Sequence, residues 1–96
     1  SAPPAGFEMH QNYPNPFNPS TTIEYDLASD SNVVLRIFNL LGQEVRTLVN
    51  GEQIAGYKSI AWDGRDNLGK QVGSGIYLYR IEPGGRVIVK KMSLIR

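Results

Sequence analysis

Apolar and polar residues alternate with a period of two along several short stretches of this chain. Ile23, Tyr25 and Leu27 alternate with Thr22, Glu24 and Asp26, which places one set on a buried face and the other in water. Ala28-Ser29-Asp30-Ser31-Asn32 then supplies turn chemistry. Val33, Leu35 and Ile37 form the next set, with Val34, Arg36 and Phe38 on the opposite face. Leu40-Leu41-Gly42-Gln43 reads as a hairpin connection, because Gly42 takes positive φ without steric cost. A strand from Glu44 to Val49 runs into Asn50-Gly51, a turn dipeptide. In the strand from Tyr57 to Asp63, Lys58, Ile60 and Trp62 oppose Tyr57, Ser59 and Ala61. In the strand from Gly75 to Glu82, Tyr77, Tyr79 and Ile81 oppose Ile76, Leu78 and Arg80. Pro83-Gly84-Gly85 is a turn, and Val87 to Ile95 the last strand. With an extended piece around Phe7 to Gln11, the pattern predicts about seven strands.

No window carries helical periodicity bounded by caps. Short strands separated by Gly, Pro and Asn turns predict an all-β fold, an antiparallel immunoglobulin-like β-sandwich. Ninety-six residues hold one core, which places the domain at residues 7–96. The start, Ser1-Ala2-Pro3-Pro4-Ala5-Gly6, reads as a linker at residues 1–6 from a longer parent protein. The chain has no cysteine, which removes disulfides, thiolate metal sites and a cysteine nucleophile. The two sheets must therefore be held by Trp62 (the sole tryptophan), the tyrosines and the aliphatic residues. A hydrophobic fraction of 41% with 20% charged residues is that of a globular protein. No stretch approaches the ~18 apolar residues of a membrane-spanning helix, so direct membrane insertion is not expected.

Net charge is +1, unevenly spread: Arg80, Arg86, Lys90, Lys91 and Arg96 face a single acid, Glu82, over the last part of the chain. Charged edge strands that resist aggregation account for this pattern, and so does a partner-binding basic tail. No basic stripe interleaves with aromatics, so nucleic acid is not an expected partner.

The run Gln11-Asn12-Tyr13-Pro14-Asn15-Pro16-Phe17-Asn18-Pro19-Ser20-Thr21-Thr22-Ile23 stands apart. Each proline fixes its own φ and drives the residue before it towards extended conformations. Asparagine side chains fold back onto nearby backbone. With Tyr13 and Phe17 as aromatic anchors, the run reads as a rigid, docked crossover leading into a strand.

Candidate chemistry is sparse. His10 is the only histidine and reads as a solvated residue without a sequence-adjacent partner, so no catalytic constellation is expected. In the loop from Trp62 to Lys70, Asp63, Asp66 and Asn67 are oxygen donors of the kind calcium takes. Their spacing departs from the EF-hand pattern. The alternative is that Asp63 and Asp66 make side-chain-to-backbone turns while Gly64 and Gly69 take positive φ. Five tyrosines and Trp62 also raise a carbohydrate-binding accessory module, but Trp62 shares its face with Ile60, which reads as core. No cofactor is expected.

Taken together, four segments resemble the type A C-terminal sorting domain of the type IX secretion system. They are Gln11 to Ile23, Leu35 to Val45 around Gly42, Ala55 through Trp62-Asp63-Gly64 to Gly69, and Ser74-Gly75-Ile76-Tyr77 with the terminal Lys90-Lys91-Met92-Ser93-Leu94. The glycine-tryptophan-aspartate portion is also similar to the immunoglobulin-like domain of flagellar hook-capping proteins, which implies a structural or spacer module. The sorting-domain resemblance implies an exported parent that passes the periplasm and reaches the cell surface or medium. It implies two partners, the outer-membrane translocation machinery and a sortase-like peptidase that cuts between Ser1 and Glu8. It also implies a non-catalytic module whose contact residues are Lys90, Lys91, Met92 and Leu94, with an exposed last-strand edge open to pairing with a partner strand; the alternative is that Met92 and Leu94 pack into the sandwich. Nothing in the sequence points to an obligate interface, so a monomer is expected.

Overall fold

In the computed structural model, which describes residues 2–96, the alternating stretches form strands. They are β1 (Glu8–Met9), β2 (Thr21–Leu27), β3 (Ser31–Phe38), β4 (Glu44–Gln53), β5 (Gly56–Trp62), β6 (Gly75–Pro83) and β7 (Ile88–Leu94). They build a three-stranded sheet in the order β1-β2-β5 and a four-stranded sheet in the order β4-β3-β6-β7. Every ladder between named strands is antiparallel. The fold is an immunoglobulin-like β-sandwich, and no helix occurs among the described residues.

The period of two does the sorting. β2 buries Ile23, Tyr25 and Leu27, β3 buries Val33, Leu35 and Ile37, and β6 buries Tyr77, Tyr79 and Ile81. Met9, Phe17, Val45, Trp62, Met92 and Leu94 complete the core between the sheets. Trp62 is fully buried. Its ring meets Phe17 at 5.7 Å and the edge of Tyr77 at 5.4 Å, tilted arrangements that suit aromatic quadrupoles. Its indole N–H donates to the Arg65 carbonyl at 2.9 Å, which removes the cost of burying that polar group.

Two turns lie elsewhere than the local signals predict. Asn50-Gly51 lies inside β4, opposite Val34 and Val33, and pairing runs on to Ser31 opposite Gln53. The long partner strand supplies ladder hydrogen bonds that a turn at Asn50 would forfeit, so tertiary pairing overrides the dipeptide. The chain reverses instead at Ile54-Ala55, where the Ala55 N–H donates to Asp30 Oδ1 at 2.8 Å. Likewise Pro83 belongs to β6, opposite Val33, and the turn narrows to Gly84-Gly85.

Trp62→Ala removes the largest buried side chain and its contacts with both Phe17 and Tyr77. The expected cost is about 3–5 kcal/mol, read by urea denaturation; a loss below about 1 kcal/mol would contradict the central packing of Trp62.

Candidate functional site

The proline run between β1 and β2 is hydrogen-bonded to both sheets. At one end Tyr13 and Thr22 exchange backbone hydrogen bonds of 3.0 and 2.9 Å, which extends the β2 side. At the other end Phe17 forms a parallel bridge to β7: its N–H donates to the Ser93 carbonyl at 2.9 Å and its carbonyl accepts from Ile95 at 3.0 Å. Pro14, Pro16 and Pro19 have no N–H, so the crossing segment brings fewer donors that would need partners.

Side chains close the rest of this seam. The Asn15 Oδ1 accepts from the Ser93 N–H at 2.9 Å, and Gln11 Nε2 donates to the Lys91 carbonyl at 2.7 Å. Asn12 is 2% exposed. Its backbone N–H donates to Tyr79 Oη at 2.9 Å, and its Nδ2 donates to Thr21 Oγ1 at 3.0 Å. The Tyr79 hydroxyl donates in turn to the His10 carbonyl at 3.0 Å, and the Thr21 hydroxyl to the Pro14 carbonyl at 2.8 Å. A buried polar network this fully paired fixes one geometry. Burial raises the pKa of the Tyr79 phenol, partly offset by the hydrogen bond from Asn12. Burial also raises Tyr25 and Tyr77, offset in part by Gln53 and by the Arg96 charge respectively.

The two aromatics of the run part company. Phe17 is an anchor, packed on Trp62; Tyr13 is 80% exposed and anchors nothing. Asn18 and Pro19 lie on the surface. The terminal set is corrected in the same way. Met92 and Leu94 are each 1% exposed, because alternate residues of β7 point into the sandwich. A partner cannot touch them while the domain is folded. Lys91 is exposed and Lys90 half-buried, and neither is ion-paired among the described residues.

The seam also covers part of the β7 edge. Ser93 turns both its N–H and its carbonyl away from β6, and by the antiparallel alternation Lys91 and Val89 do the same. Gln11, Asn15 and Phe17 occupy that edge from Lys91 onward. What remains free for strand addition is the Val89 end.

The Trp62–Lys70 loop adopts the turn geometry. Asp63 Oδ1 accepts from the Arg65 N–H at 3.1 Å and lies 3.2 Å from Arg46 Nη1. Asp66 Oδ1 accepts from the Leu68 and Lys70 N–H groups, each at 2.9 Å. Asn67 Oδ1 accepts from the Thr47 N–H at 2.9 Å, and the Asn67 N–H donates to the Val45 carbonyl at 3.0 Å. One oxygen of each calcium candidate is thus engaged, and Asn67 covers the start of the β4 edge. Gly42, Gly64 and Gly69 take φ of 82°, 74° and 83°. Gly64 has a second reason to lack a side chain: a Cβ there would meet Arg96 Nη2 at 2.8 Å and the Pro19 carbonyl at 3.0 Å. Gly75 opens β6 opposite Leu94.

Three features escaped the sequence pattern. Arg96 clamps the chain end, donating from its backbone to Ser74 Oγ at 2.9 Å, from Nε to the Val72 carbonyl at 2.6 Å and from Nη2 to the Gly64 carbonyl at 2.7 Å. His10 is paired, its Nε2 lying 3.1 Å from Asp26. Tyr79 bonds to a segment sixty-seven residues away at Asn12. As for a sugar platform, Tyr25, Trp62, Tyr77 and Tyr79 are all buried and cannot stack on a ring.

The scaffold that carries this seam matches a known family. Residues 17–84 match the model of the FlgD Ig-like domain. The chain belongs to the FlgD Ig-like domain family. The match leaves residues 1–16 and 85–96 outside, which include the first part of the proline run, Gln11 to Pro16, and all of β7. Among solved structures, the domain is similar to part of dimeric latent PorU from Porphyromonas gingivalis, with a TM-score of 0.74 and 29% identity over 95% of this chain. FlgD from P. aeruginosa gives a TM-score of 0.61 and 25% identity, covering 77% of this chain and 59% of that one. PorZ, a surface component of the type IX secretion system of Porphyromonas gingivalis, shares the fold at a TM-score of 0.61 and 18% identity, covering 95% of this chain and 12% of that one. The domain spans about a tenth of the PorU chain. No curated protein matches the sequence.

Two substitutions test this geometry. Gly64→Ala combines a left-handed backbone with a clash against Arg96 and Pro19, and an expected loss of about 1–3 kcal/mol is read by thermal or urea unfolding; unchanged stability would contradict the close approach. Tyr79→Phe leaves the Asn12 N–H unpaired, at a cost of about 1–3 kcal/mol at neutral pH. A folded-state phenol pKa raised by burial above the ordinary tyrosine value of about 10 gives stability that is complete below about pH 10 and lost as pH rises through the folded value. Denaturation measured from pH 7 to 11 is therefore expected to show a decline above about pH 10 that is shallower in Tyr79→Phe.

Proposed function

We propose that this domain is a non-catalytic C-terminal sorting signal, carrying its parent protein across the outer membrane through the type IX secretion system. The observation that carries the reading is the seam. Two segments outside the family match, Gln11–Pro16 of the proline run and the terminal strand β7, are hydrogen-bonded to one another, Gln11 to Lys91 and Asn15 to Ser93, and Phe17 adds bonds to Ser93 and Ile95. The two ends of the sequence therefore make one composite surface. Tyr13, Lys91, Val89 and Ile95 project from it, and Tyr13 and Ile95 are 80% and 56% exposed. An aromatic, a cation and aliphatic groups on a rigid frame are what interface anchors are made of. One shared surface of this kind would let a translocation machine accept many unrelated cargoes. The similarity to PorU, and in fold to PorZ, supports the reading; an exported parent, removal of the domain by a sortase-like peptidase near residues 1–8 and surface attachment are further parts of the proposal. The Ser1 end of that range lies outside the described residues.

The family match favours a second reading, an immunoglobulin-like structural or spacer module of hook-cap type. It would act through contacts with sister subunits and would not need the seam surface.

A fluorescent protein carrying a general export signal and this domain at its C-terminus separates the two. The sorting reading expects surface or extracellular delivery only in cells with a working type IX machine. Lys91→Glu and Tyr13→Ala are expected to reduce delivery about tenfold, the effect of losing about 1.4 kcal/mol of recognition, with the melting temperature unchanged. Retention in the periplasm with and without the machine would favour the spacer. Deleting Lys90–Arg96 is not a usable test, since it removes Met92 and Leu94 from the core.

A further inference from the structure

On the outer face of the three-stranded sheet, Glu8, His10 and Asp26 bring donor atoms within 4.8 Å of one another. The pleat explains how. Glu8 and His10 are two residues apart, with Met9 buried between them, so they share the solvent face. Register places Glu8 directly opposite Asp26, and the His10 N–H donates to the Glu24 carbonyl at 2.9 Å, which fixes the residue beside its neighbours. From this geometry we infer that Glu8, His10 and Asp26 form a binding site for a divalent transition-metal ion of the zinc type.

The distances fit such an ion. His10 Nε2 lies 3.1 Å from each Asp26 carboxylate oxygen. Two donors bound at about 2.0–2.2 Å to one tetrahedral or octahedral centre are roughly 2.9–3.6 Å apart. The ion takes the place of the proton that His10 Nε2 shares with the carboxylate, and Glu8, being exposed, turns in as the third donor. Charge favours occupancy as well. Two carboxylates directly opposite across a ladder repel, and Glu24, two residues from Asp26, adds a third negative charge to the same face. A cleft of about 230 Å³ bordered by His10, Glu24, Asp26 and Lys58 gives access from solvent. One imidazole with carboxylates is a donor set that suits zinc, whereas calcium takes oxygen alone.

The position gives the site a structural consequence. β1 has two residues and two register pairs with β2, and it is the first strand of the chain. An ion shared by β1 and β2 staples this short strand to the sandwich, independently of whether the domain acts in sorting.

Calorimetric titration and thermal unfolding of the 96-residue chain with zinc, calcium and magnesium test the inference. Zinc is expected to bind with one-to-one stoichiometry and to raise the melting temperature by about 5 °C or more near saturation. His10→Ala and Asp26→Asn are expected to weaken zinc binding at least tenfold, while zinc shifts the His10 ring signals in NMR spectra of the unaltered chain. No zinc binding, equal binding by His10→Ala, or a calcium response as large as that of zinc would overturn the assignment.

Discussion

A β-sandwich without a disulfide must be closed by contacts that reach from one sheet to the other, and here Phe17 makes them. Its backbone is bonded to β7 in the four-stranded sheet, while its ring packs on Trp62 from the three-stranded sheet. Four residues earlier, Tyr13 is paired with β2. The chain between these points is therefore held at both ends, and the prolines limit the conformations it loses on folding. Asn12 is buried under the crossing with its backbone N–H and both polar atoms of its side chain engaged. Arg96 completes the closure by binding the carbonyls of Val72 and Gly64, where only a glycine leaves room for its guanidinium.

The same contacts manage the sheet edges. A strand at an edge offers unpaired backbone groups to any other chain. The Asn67 loop covers the start of β4, and the proline run covers β7 from Lys91 onward. Edge protection and surface construction thus use the same residues. The part of the chain shared with the FlgD Ig-like family supplies the scaffold, and the segments outside that match are joined to one another on its side. The surface on that side is therefore built from both ends of the sequence.

Strands and core were legible in the sequence because burial follows a period of two: Ile23-Tyr25-Leu27, Val33-Leu35-Ile37 and Tyr77-Tyr79-Ile81 are all buried as the alternation predicts. Trp62 was legible for the same reason. The turn at Asn50-Gly51 was not, since a local signal cannot report the length of the partner strand that overrides it. Tyr13 and Phe17 flank the same prolines, and which of them packs inward depends on where the β7 edge lies, a contact across most of the chain. Met92 and Leu94 fall on the inward phase of β7, although the family resemblance had placed them at a partner's surface. The His10–Asp26 pair and the Arg96 clamp depend on register and on chain return, which no local pattern encodes.

The claim on which the rest depends is that the proline run is part of the cooperative core. Native-state hydrogen exchange of the Tyr13, Phe17, Thr22, Ser93 and Ile95 amides tests it most directly. The account predicts that all five exchange only through global unfolding, with the same opening free energy as the amides of β3 and β6. Exchange of Phe17 and Ile95 through a low-energy local opening, with β3 still protected, would show the seam to be a detachable flap and would contradict the account.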